Sequence, residues 1–91
     1  MPYFVFMYYV YILQSEVPSR YYIGSTGQLE DRLLRHNSGR SKATKNGMSW
    51  RLVWQEEFLT RGEAYKREIE IKSWKSHVRI AAMVSASRYP D

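Results

Sequence analysis

Ninety-one residues without a cysteine make one domain and exclude a disulfide framework or a cysteine-based zinc site. A hydrophobic content of 44% suffices for a modest core, and no window approaches the length of a membrane span. The formal net charge of +5 points to a polyanionic partner, most often nucleic acid. The apolar run 3–12 has neither a basic flank nor a small-residue cleavage site, so it reads as a buried strand and not as a targeting segment. The lack of cysteine fits a reducing cytoplasm.

Two strands are expected at Tyr8–Leu13 and Tyr21–Ser25, each rich in aromatic and β-branched residues. The stretch Gln14–Arg20, with Ser15, Pro18 and Ser19, suits the loop of a hairpin. Alternation places Tyr9, Tyr11 and Leu13 on one face and Val10 and Ile12 on the other. On the second strand Tyr22 and Gly24 share a face, opposite Tyr21 and Ile23. A helix should follow at Gln28–Asn37, started by Thr26 and Gly27 and stopped by Gly39. Its inner stripe is Leu29, Arg32, Leu33 and His36. Leucine alone would serve packing there; a buried arginine or histidine is costly unless something pairs with it.

Asn37–Ser49 has no hydrophobic period and is rich in Gly, Ser, Asn, Thr and Lys, so it reads as a basic loop. Arg32, Arg35, Arg40, Lys42, Lys45 and Arg51 follow one another with no acid between them, which favours a phosphate-binding surface. Trp50–Phe58 is the third strand, with Leu52, Trp54 and Phe58 on one parity and Trp54 in the core. Thr60 and Glu63 form a capping box that opens a helix running to about Trp74. Ala64, Glu68 and Ile71 share its stripe, and Lys66 and Glu70 suit an outward ion pair. A short last helix is expected over Val78–Ser85, followed by a frayed tail at 86–91.

The motifs of this chain resemble the GIY-YIG nuclease superfamily. Tyr9-Val10-Tyr11 stands for the first motif, Tyr22-Ile23-Gly24 for the second, and Arg32 matches the basic residue of the helix that follows. The first glycine of the name motif is Tyr9 here. The resemblance spans about Tyr8 to Ile80 and is closest to small stand-alone bacterial proteins related to the nuclease domain of excinuclease ABC. It implies an α/β fold: a small single domain over 1–91, with a three-stranded, mainly antiparallel sheet flanked by helices.

It also implies a divalent-metal-dependent DNA endonuclease of DNA repair or processing, acting alone or within a larger repair complex. The alternative is a non-catalytic nucleic-acid-binding or interaction module. Glu68 matches the acidic position after the third strand and would ligate Mg²⁺, with Mn²⁺ as a substitute. Arg32 would neutralise a phosphate oxygen, Tyr11 would serve as general base with His36 taking or relaying its proton, and Tyr22 would orient the phosphate. Gly24 lets backbone or substrate approach closely. Arg35, Arg40, Lys42, Thr44 and Lys45 would contact DNA. Many relatives carry a supporting Asn near the C-terminus, whereas no Asn follows Asn46 here. Tyr11, Tyr22, Arg32, His36 and Glu68 are expected on one concave, solvent-reached surface, and a Glu68 on the opposite side of the sheet from Tyr11 would overturn the five as one site.

Overall fold

The computed structural model describes residues 6–15, 20–39 and 49–87. Three strands, β1 (Tyr8–Ser15), β2 (Arg20–Thr26) and β3 (Arg51–Phe58), form a sheet in the order β2-β1-β3. Both pairings are antiparallel, so the sheet is antiparallel throughout. Three helices complete the domain: α1 (Leu29–Asn37), α2 (Arg61–Ser73) and α3 (His77–Ala86).

The central strand explains the layering. Val10, Tyr11, Ile12 and Leu13 are all buried, so β1 is covered on both faces. Val10 and Ile12, with Ile23 of β2, pack against Ala64 and Ile71 of α2 and Ile80 and Val84 of α3. Tyr11 and Leu13 pack on the other face with Trp50, Tyr22, Leu29 and Leu33, under α1. Alternation in β1 and β2 therefore sorts residues between a layer with α1 and a layer with α2 and α3. Tyr8 and Tyr21, of the opposite parity, pack partly buried against the α2–α3 layer.

β3 departs from simple alternation. Ile12 faces Trp54, but Leu13 faces Leu52, so the register shifts and Val53 is the extra residue. Leu52 thus joins the α1 layer while Trp54 and Phe58 join the α2–α3 layer. The single face expected for these three is corrected by the bulge.

Helix ends follow local chemistry. Thr26 Oγ1 accepts from Gln28 N at 3.0 Å just before α1. Gly39 follows the α1 cap with φ +78, a conformation that suits glycine. Thr60 Oγ1 accepts from Glu63 N at 3.2 Å and donates to Glu63 Oε1 at 3.0 Å. The Lys66–Glu70 pair expected on α2 is replaced. Glu70 pairs with Arg67 at 2.8 Å, and Arg67 also reaches Glu56 of β3 at 2.9 Å, tying the helix to the sheet. No helix among the described residues is long and apolar enough to cross a membrane.

Candidate active site

Tyr11 stands opposite Gly24 in the β1–β2 register. Its phenol lies across the glycine, in the space a side chain would take. Its oxygen is 2.9 Å from His36 Nε2, on the last turn of α1. The Tyr22 ring packs at a tilt against His36, with centroids 4.7 Å apart, and Trp50 closes the cluster at 6.4 Å from Tyr22. Tyr11 and His36 are 1% and 2% exposed, so the pair sits inside the protein and not on an open surface. Arg32, one turn before His36, acts on both.

Electrostatics settles the resting protonation. Burial first, then the neighbouring Tyr22, pushes the Tyr11 phenol far above the usual tyrosine value. Arg32 pulls the other way, and the carboxylate of Glu68 adds a small upward push. Burial, then Arg32 and Arg35, holds His36 below the usual histidine value. At neutral pH both groups are therefore uncharged, and the imidazole tautomer decides which of the two donates in their hydrogen bond. Desolvation thus outweighs the pull of Arg32 and keeps Tyr11 a neutral phenol in the resting protein.

Glu68 comes from the other layer. It sits on α2, between Ala64 and Ile71, and meets β2 at Ser25. Ser25 Oγ donates to Oε1 at 2.5 Å, and Lys72 Nζ donates to Oε2 at 2.6 Å. Consecutive residues of β2, Gly24 and Ser25, thus carry the tyrosine on one face and the carboxylate on the other. One concave surface holding all five residues is not what the fold builds. The two faces meet at the rim of β2, an edge strand, and the charge of Glu68 still registers on the Tyr11 phenol.

Residues 7–80 match the family described as the GIY-YIG catalytic domain. The chain belongs to the GIY-YIG family. It is 38% identical over 74 residues to a UPF0213 protein of Staphylococcus saprophyticus, covering 80% of this chain and 89% of that one. A UPF0213 protein of Bacillus pumilus is 37% identical over 68 residues, 74% of this chain and 68% of that one. Among solved structures, the solution NMR structure of a UPF0213 protein from Bacillus halodurans matches with a TM-score of 0.59 and 32% identity. That match covers 92% of this chain and 88% of the other.

In this GIY-YIG domain the other expected contacts divide. Arg35 is exposed and lies 3.7 Å from Asp31. Gly24 is buried, and the tyrosine rather than a ligand fills the space it leaves. Arg40, Lys42, Thr44 and Lys45 lie outside the described residues.

Three participants escape a reading by motif. Ser25 follows the second motif and fixes Glu68. Lys72, four residues after Glu68 on the same helix, pairs with it, and that spacing was the available signal. Asn37 accepts from Trp50 N at 2.7 Å and donates to Trp50 O at 3.0 Å, closing the base of the loop between α1 and β3.

For a divalent cation the donor set is lean. No group of three or more His, Cys, Asp or Glu is assembled among the described residues. A closed protein cage is thus not offered. A hard ion such as Mg²⁺ instead fits one carboxylate, with water and substrate phosphate completing the shell. Glu68 would be the carboxylate available for that, with Oε2 now held by Lys72.

Proposed function

We propose that this protein is a divalent-metal-dependent DNA endonuclease that hydrolyses phosphodiester bonds. What carries the reading is the Tyr11–His36 hydrogen bond with Arg32 beside it; Glu68 lies on the other face of the edge strand β2, and its charge reaches the Tyr11 phenol from there. A Mg²⁺ or Mn²⁺ ion, when bound, would supply charge relief at the phosphate, and Glu68 would be its protein ligand. Arg32 presents a fixed fork of donors to a non-bridging phosphate oxygen.

Tyr11 and His36 work as a unit. A free phenolate is opposed by burial, so Tyr11 takes a proton from water as it passes its own to His36 Nε2. Burial, then Arg32 and Arg35, make His36 a weak acceptor in the resting protein. An entering phosphate offsets those charges and raises the basicity of the imidazole where it is needed. Tyr22, its ring packed at a tilt against His36, keeps the imidazole in place and would orient the phosphate with its hydroxyl. The reading includes a role in DNA repair or processing in the cytoplasm, alone or in a larger complex.

The test is a cleavage assay with Mg²⁺ or Mn²⁺ on duplex, single-stranded, flapped and branched DNA, run on wild type and Glu68→Gln. Metal-dependent nicking by wild type and none by the variant supports the reading. A second reading, a nucleic-acid-binding module without turnover, is favoured by one observation. Both oxygens of Glu68 are already engaged, by Ser25 and Lys72. DNA binding with no cleavage under any metal would establish it instead.

A further inference from the structure

Phe6, Tyr8, Asp31, Arg32, Arg35 and Arg61 line a cleft of about 250 Å³ where β1, α1 and the start of α2 come together. Its charge is one-sided. Three guanidinium groups face one carboxylate, and Arg35 already lies 3.7 Å from that Asp31. Arg32 belongs both to this cleft and to the surroundings of Tyr11 and His36, so the cleft leads away from the catalytic cluster.

Arg61 is the unexplained member. It is the first residue of α2, where the helix dipole opposes a cation. Among the described residues it has no ion pair. Its guanidinium lies over the Tyr8 ring, 4.9 Å from the centroid, which holds it at the cleft wall. A cation placed against a dipole and left without a carboxylate is explained by a partner that arrives from outside.

We propose that this cleft holds the sugar–phosphate backbone of a nucleic-acid strand next to the phosphate at Arg32, with Arg61 as the outer phosphate ligand. The proposal rests on the nuclease reading above and adds the path of the strand: from Arg32 along α1 toward the first turn of α2. Aromatic side chains at Phe6 and Tyr8 line the same path and suit contact with sugar or base. The rival explanation is that Arg61 only staples Tyr8 through its ring contact, in which case its loss moves stability and leaves nucleic-acid affinity alone.

The experiment follows fluorescein-labelled duplex and single-stranded oligonucleotides by anisotropy across a salt series. Wild type, Arg61→Gln and Arg61→Lys are compared, with a melting curve for each. Arg61→Gln should bind several-fold more weakly on every sequence. Its slope of log affinity against log salt should shrink by about 0.9 on duplex or about 0.7 on single strands, the loss of one phosphate contact. Arg61→Lys should restore most of both. A wild-type slope in Arg61→Gln overturns the proposal, whatever the melting curve shows. Wild-type protein without salt-dependent DNA affinity overturns this proposal and the nuclease reading together, whereas wild-type binding indifferent to Arg61 overturns this one alone.

Discussion

The Tyr11 phenol occupies the place where a side chain at Gly24 would stand. A Cβ on Gly24 would lie 2.6 Å from the tyrosine oxygen and 2.7 Å from Cζ. Tyr11 cannot swing aside, because Leu13, Trp50, Tyr22, Leu29 and Leu33 pack around it and His36 holds its hydroxyl. The glycine of the second motif is thus required by packing between adjacent strands, before any substrate is considered.

Gly24→Ala should therefore push the ring off His36 and cost about 1–3 kcal/mol, the usual range for overpacking. Urea denaturation gives the stability, and the NMR signals of the His36 ring report the lost hydrogen bond. An alanine variant that matches wild type on both measurements would show that the strand pair has slack the distances do not allow.

His36 makes stability depend on pH with a definite sign. Burial, Arg32 and Arg35 depress its folded-state pKa below the ordinary value of about 6.5. Between the two values the unfolded chain binds a proton that the folded one does not. The stabilisation is fully present above about pH 6.5 and is lost as pH falls toward the folded pKa. Wild type and His36→Gln melted from about pH 7.5 to about pH 5 should diverge in slope, with wild type the steeper. Parallel curves would mean that His36 does not titrate in this window.

Much of this was legible along the chain, and the misses share a cause. Paired aromatics at Tyr8–Tyr11 and Tyr21–Tyr22, the glycine at Gly39 and the Thr60–Glu63 cap all act locally, and they mark the strands and helix ends found here. The bulge beside Leu13 is different, because alternation counts residues within one strand while a bulge belongs to a pair. Glu70 chose Arg67 over Lys66, and that arginine is also anchored by Glu56 on another element. The same holds for Tyr11 and Glu68. Each lies on the stripe its own element dictates, yet periodicity does not tell which side of the sheet a helix covers.

Glu68→Gln should abolish cleavage and leave the fold nearly intact. The partner Lys72 is 51% exposed on its side chain, so it can turn to water when the carboxylate is gone. Pairs of that kind contribute at most about 1 kcal/mol. Glutamine still offers an oxygen to Ser25. DNA affinity should hold or rise, since a negative charge near the phosphate has been removed. A cleavage time course and a melting curve on one preparation decide the matter. Full cleavage by the folded variant would remove Glu68 from the metal site.

Lys72 is the sharpest probe of how that site is kept before substrate arrives. Its ammonium sits 2.6 Å from Oε2 of Glu68, whose side chain is only 12% exposed. A divalent cation using that oxygen has to replace the ammonium or share the carboxylate with a like charge. Lys72→Met keeps the alkyl stem and removes the competing charge, so Mn²⁺ should bind more tightly to the variant, by roughly fivefold for an interaction of about 1 kcal/mol. Electron paramagnetic resonance of free Mn²⁺ measures this without any turnover. The opposite sign is informative too. If Lys72 serves mainly to hold Glu68 against Ser25, its removal frees the carboxylate to move and weakens Mn²⁺ binding. Weaker binding by Lys72→Met in a protein that melts like wild type would therefore make Lys72 a positioning residue and refute the competition.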